Sequence, residues 1–125
     1  MQAYARFGRA SHQVPAARAF VRDTLFRWGE MSALDDTLLV ASELFTNALL
    51  HGSGSIDVYV TLNPASLRIA VVDEGQWAPA PGPTPDSDTM PSGRGLRIVD
   101  AIASDWGNNF DPVGRTRVWA ELPRA

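Results

Sequence analysis

From residue 15 onward the apolar positions recur at helical spacing. Ala16, Ala19, Phe20, Leu25 and Trp28 are interleaved with Arg18, Arg22 and Asp23, which predicts a first helix from Pro15 to Trp28, closed by Gly29. Pro15 suits a first helical turn, where a missing N–H forfeits no intrahelical bond. A second helix is predicted from Leu34 or Asp35 to His51, with Asp35 and Asp36 in the turn that favours negative charge. It carries Leu38, Leu39, Val40, Ala41, Leu44, Phe45, Ala48, Leu49 and Leu50, so it is apolar around most of its girth and belongs inside the fold. Gly52 follows as its expected stop.

Past Gly52 the period falls to two. Ile56, Val58 and Val60 alternate with Asp57 and Tyr59, then Asn63-Pro64 signals a turn, and Leu67 to Val72 forms a second strand of a hairpin. A third helix is predicted from about Arg94 to Ala103 on Leu96, Ile98, Val99 and Ile102, and two strands follow near Trp106 to Phe110 and Arg115 to Leu122. Met1 to Arg9 alternates weakly around Tyr4 and Phe7, as a short edge strand does. Between the hairpin and the third helix, Ala78 to Pro91 holds five of the nine prolines with Gly82, Asp86, Ser87 and Asp88, which fits a lid or binding loop. The order strand, helix, helix, strand, strand, loop, helix, strand, strand is not the alternation of a doubly wound sheet. It predicts an α+β, two-layer fold with one mixed, mostly antiparallel sheet and three helices on a single face. A chain of 125 residues has room for one such domain, expected to span 1–125.

Composition narrows the chemistry. There is no cysteine, so disulfides, thiolate nucleophiles and zinc–sulfur sites are excluded. All 11 basic residues are arginine, which excludes a Walker-type phosphate loop and Schiff-base chemistry, both of which need lysine. With a formal charge of −3 the chain has no electrostatic case for direct nucleic-acid binding. No apolar run approaches the ~20 residues of a membrane span and no signal-peptide core opens the chain, so a cytoplasmic protein without a membrane partner is expected. Phosphate, if handled, must be met by arginine, backbone amides and a divalent metal.

Three features could carry that chemistry. Glu43, Asn47 and His51 recur every fourth residue along one stripe of the second helix. A narrow solvated face would explain the stripe. So would a cleft, where the Asn47 carbonyl oxygen suits magnesium and Glu43 can take a proton from a nucleophile. Asp73-Glu74-Gly75 closes the second hairpin strand. It is either an ordinary turn or an acceptor for an adenine amino group beside a glycine that admits the base. Ser92-Gly93-Arg94-Gly95-Leu96 opens the third helix, as a flexible entry or as a set of free N–H groups and one guanidinium for phosphate.

Taken together and in this order, Glu43-x-x-x-Asn47, Asp73-x-Gly75 and Gly93-x-Gly95 after a loop resemble the nucleotide site of the GHKL, or Bergerat-fold, ATPase superfamily. The run Ser42-Glu43-Leu44-Phe45-Thr46-Asn47-Ala48-Leu49-Leu50-His51-Gly52 resembles its anti-sigma-factor serine kinase branch, as does Thr116-Arg117-Val118-Trp119. The resemblance implies Asn47 as ligand of the magnesium that bridges the phosphates, Glu43 as catalytic base, and Asp73 with Gly75 at the adenine. It places Gly93, Arg94, Gly95 and Leu96 at the phosphates, beneath an ATP lid running from Ala78 to Ser92, and Thr116 behind the aspartate. His51 is expected to be structural, capping the helix or touching the sheet. The sequence departs from the family in its short, proline-filled lid and in Arg117, where a smaller residue is common. Nothing in the sequence resembles a phosphoacceptor helix, so a complete sensor histidine kinase is not expected.

The resemblance implies an ATP- and Mg2+-dependent protein serine kinase in transcription regulation. It would hold a sigma factor and phosphorylate an anti-sigma-factor antagonist, with homodimerisation also implied. The alternative is a catalytically inactive ATP-binding adaptor of the same fold. Hydrolysis with water as acceptor is a weaker third reading, because a second domain to couple it to work is not expected.

Overall fold

A computed structural model describes residues 1–77 and 91–124, the side chains of 91–95 excepted. Five strands, β1 (Gln2–Phe7), β2 (Ile56–Leu62), β3 (Ser66–Asp73), β4 (Asp105–Phe110) and β5 (Thr116–Pro123), form one sheet in the order β1-β2-β3-β5-β4. Every described pairing is antiparallel. Three helices, α1 (Gln13–Trp28), α2 (Leu34–His51) and α3 (Pro91–Ile102), pack on one face. The α+β layering expected from the element order is therefore what forms. The proline-rich segment expected as a lid, Ala78 to Ser92, lies outside the described residues up to residue 90, and its last two residues begin α3.

Alternation decides which face meets the helices. Ile56, Val58 and Val60 on β2, Leu67, Ile69 and Val71 on β3, and Val118, Ala120 and Leu122 on β5 point into one core with Leu44, Phe45 and Ala48 of α2. The α2 helix lies over the middle strands, flanked by α1 and α3, as a helix apolar on most sides must. Its bounds match the expected ones, and Asp35 and Asp36 sit in its first turn.

The buried stripe of α1 differs from the expected one. Ala17, Val21, Thr24 and Leu25 are buried while Ala16 is exposed and Ala19 and Phe20 are only half-buried. The i, i+4, i+7, i+8 spacing of this set is as regular as the expected one, and contact with α2 selects between them. Helix α1 also starts earlier, at Gln13, which leaves Pro15 inside the first turn, whose N–H groups lack intrahelical partners. Helix α3 likewise starts at Pro91, three residues before the expected Arg94.

The opposite face of the sheet carries no described helix, yet it is not simply wetted. Asp57 belongs to that face and is 2% exposed. Arg6 holds its carboxylate at 2.7 Å, Arg115 reaches it at 3.4 Å, and the Tyr4 hydroxyl donates to it at 3.2 Å. Two cations and a phenol thus replace the water that a buried carboxylate loses. Arg68 lies over the Trp119 ring and pairs with Glu121 on the same face.

Candidate functional site

The stripe on α2 is graded in exposure. Glu43 is half-buried, Asn47 is enclosed at 1% exposure, and His51 is exposed at the helix end. No described residue hydrogen-bonds or ion-pairs with the Glu43 carboxylate, and burial alone pushes its pKa above the usual carboxylate value. Both polar atoms of the Asn47 amide, Oδ1 and Nδ2, are buried without a hydrogen-bond partner. An amide left in that condition costs free energy that a native fold rarely tolerates without a reason. Glu43 and His51 therefore reach solvent, as either a solvated face or a cleft would allow, whereas Asn47 is closed off in this conformation.

The end of α2 is held by a residue that periodicity does not reveal. Arg9 donates to the carbonyls of Ala48 and Leu49, where carbonyl groups are free and the helix dipole favours a cation. It steadies the turn that carries Asn47 and His51.

Asp73 lies at the C-terminal end of β3 and is 1% exposed. Its Oδ1 accepts the Gly75 N–H at 2.7 Å and the Ser53 N–H at 3.3 Å, and its Oδ2 accepts the Trp77 indole N–H at 2.9 Å. The carboxylate packs so closely over the end of α2 that a Cβ at Gly52 would collide with all three of its terminal atoms. Gly52 does stop the helix, but not through the left-handed conformation usual for that role. Its φ of −91° is open to any residue, and the glycine is required by the approach of Asp73. A Cβ at Gly75 would likewise stand 3.0 Å from Asp73 Oδ1, the Gly52 Cα and the Ser53 nitrogen.

Thr116 faces Asp73 across the β3–β5 ladder and is fully buried. Its hydroxyl donates to the Gly75 carbonyl at 2.7 Å and accepts the Trp77 N–H at 3.1 Å. It supports the turn after Asp73 rather than the carboxylate itself. Arg117 alternates to the open face of the sheet, near Asn109, so this departure from the family pattern leaves the Thr116 side undisturbed.

Gly93, Arg94 and Gly95 lie in the first turns of α3, and their side chains are outside the described residues. Leu96 is 1% exposed, so its side chain is core and only its backbone could face a ligand. His51 is exposed at the end of α2. Its ring lies against Trp77, with centroids 5.3 Å apart and planes inclined by 35°. Trp77 was not among the residues that the motifs single out. An isolated aromatic residue four positions after a strand-ending aspartate is a weak signal, and only the fold brings it back onto Asp73.

The arrangement can be tested for a metal and a nucleotide. Among the described residues no three His, Asp or Glu side chains gather into a self-contained metal cage. A magnesium ion held largely by phosphates needs only one or two protein oxygens, and the orphaned Asn47 Oδ1 is a donor of the right hardness. Asp73 offers a buried, acceptor-only carboxylate of the kind that selects an N–H donor. No described helix is long and apolar enough to cross a membrane. Among curated proteins none matches the chain. The profile of the histidine kinase-like ATPase domain does match, over residues 8–119, which spans all of these positions.

Proposed function

Because the chain belongs to the histidine kinase-like ATPase domain family, we propose that it is an ATP-binding regulatory factor acting as a protein serine kinase of the anti-sigma type. The observation that carries the nucleotide site is the enclosed Asn47 amide with both polar atoms unpaired, on the same helix face as Glu43. Asn47 would hold Mg2+ through Oδ1, and Asp73 would take the amino group of adenine. The metal supplies positive charge against the phosphate oxygens.

Glu43 is the base in this reading. Its carboxylate is half-buried and free of described partners, and its burial-raised pKa makes it a better proton acceptor than an exposed glutamate. It accepts the hydroxyl proton of a partner's serine while the serine oxygen bonds to the terminal phosphorus and the bond from phosphorus to the ADP oxygen breaks. Positioning and electrostatic stabilisation supply most of the rate in such transfers. The serine belongs to an anti-sigma-factor antagonist, and a sigma factor competes for a shared or coupled surface, as partner exchange requires.

The test is transfer of radiolabel from ATP to candidate antagonist proteins, with Glu43→Ala as control. Labelling that is lost in Glu43→Ala while ATP binding persists supports the kinase. ATP binding without labelling of any partner makes the chain a catalytically inactive adaptor.

A further inference from the structure

The Asp73 carboxylate already has a ligand, and that ligand is aromatic. The Trp77 indole is a fused planar bicycle that donates an N–H to Asp73 Oδ2 at 2.9 Å while its ring lies beside the His51 ring, tilted by 35°. An adenine amino group that met Asp73 would donate to the same carboxylate, with a planar ring system behind the N–H as the indole has. We propose that Trp77 occupies the adenine subsite of the nucleotide-free protein and sets its affinity for adenine nucleotides, an inference that rests on the reading of Asp73 as the adenine acceptor.

Three observations carry it. Asp73 is 1% exposed, so a ligand gains access to its oxygens only when a neighbour leaves. Among the described residues, two of its three donors, Gly75 N–H and Ser53 N–H, are backbone groups fixed by the strand end and the helix end, which leaves the indole as the one side-chain donor. The Trp77 backbone is pinned separately, its N–H donating to the Thr116 hydroxyl at 3.1 Å. Release therefore needs a rotation of the side chain and no movement of the turn. A carboxylate has about four acceptor positions, so a purine amino group replaces the indole donor for donor and leaves the two backbone bonds intact. The apparent affinity for an adenine ligand is then the intrinsic affinity scaled by the fraction of molecules whose indole has swung away.

Trp77→Phe tests this, because it keeps an aromatic side chain and removes the N–H. Calorimetric titrations with adenosine and with ADP–Mg are expected to show about tenfold tighter binding for the variant than for the wild type, by release of one charge-assisted hydrogen bond. Binding of tripolyphosphate–Mg, which has no base, is expected to be equal in the two proteins. In the wild type, the Trp77 indole N–H resonance, identified by its absence from the variant, is expected to lose its protection from solvent exchange as ADP saturates. Equal or weaker binding of adenosine by Trp77→Phe overturns the proposal and makes Trp77 a wall of the pocket. So does an indole N–H that stays protected at saturating ADP. If neither protein binds adenosine or ADP, the nucleotide reading itself has failed and this inference falls with it.

Discussion

Replacing Asn47 by leucine should make the nucleotide-free protein more stable and the nucleotide-loaded protein less so. The two side chains have the same branched outline of heavy atoms, so the substitution mainly exchanges a polar terminus for an apolar one. In the native fold Oδ1 and Nδ2 are both buried and unpaired, and the residue is 1% exposed. A buried polar group without a partner costs about 1–3 kcal/mol, and Asn47→Leu removes that cost. For a chain of this size each kcal/mol moves the melting midpoint by roughly 3–5 °C, so the gain is measurable by thermal or urea unfolding. ATP–Mg should reverse the order. At a ligand concentration 1,000 times Kd the wild type gains about 4.1 kcal/mol by linkage, more than the cost that Asn47→Leu removes, whereas the variant is expected to gain little. The unfolding curves of the two proteins should therefore exchange rank when ATP–Mg is added. A lower midpoint for nucleotide-free Asn47→Leu would refute the reasoning, because it would mean that the native fold satisfies the amide.

Two further outcomes follow from the same geometry. Burial raises the Glu43 pKa in the fold, so the folded state disfavours the ionised form. Its stabilising contribution is present below the unfolded pKa and is lost as pH rises through the folded value. Glu43→Gln should therefore raise the melting midpoint at pH 7, and the difference should vanish as pH falls below the ordinary carboxylate range; a pH-independent difference contradicts this. Gly52→Ala forces a Cβ into the Asp73 carboxylate, which must abandon its bonds to Ser53 and Gly75. A stability loss of about 2 kcal/mol or more, together with loss of ATP binding, is expected from denaturant titration and calorimetry, and a variant with wild-type behaviour would show that the close approach has no consequence.

What could be read from the chain was local. The bounds of α2, the β2–β3 hairpin and the placing of Asp73 at a strand end each follow from a period of four or two within about twenty residues. What could not be read was set by partners distant in sequence. The burial of Asp57 needs Arg6 from β1 and Arg115 from beyond α3, so alternation alone assigns that carboxylate to water. The stripe of α1 is chosen by α2, because Ala16, Ala19 and Phe20 offer an equally regular alternative. Gly52 reads as a helix stop, although its reason is a carboxylate from another strand. Trp77 carries no signal until the turn after β3 returns it to Asp73.

The site's two halves are joined by a very short path, and this explains why the fold can hold them in register. Asn47 lies in the last turns of α2 and Asp73 at the end of β3, and Gly52 and Ser53, which follow the helix, come up against the Asp73 carboxylate. The Ser53 N–H donates to Asp73, and its carbonyl accepts the Glu74 N–H at 2.9 Å. Arg9 fixes the helix side of this junction through Ala48 and Leu49, and Thr116 fixes the strand side through Gly75 and Trp77. Asn47 and Asp73, tied through these backbone bonds, cannot drift apart without breaking several of them. The side chains left to respond to a ligand are then those outside this frame, the exposed His51 and the indole of Trp77, whose backbone is pinned to Thr116 while its ring is held by one hydrogen bond to Asp73 and by its contact with His51.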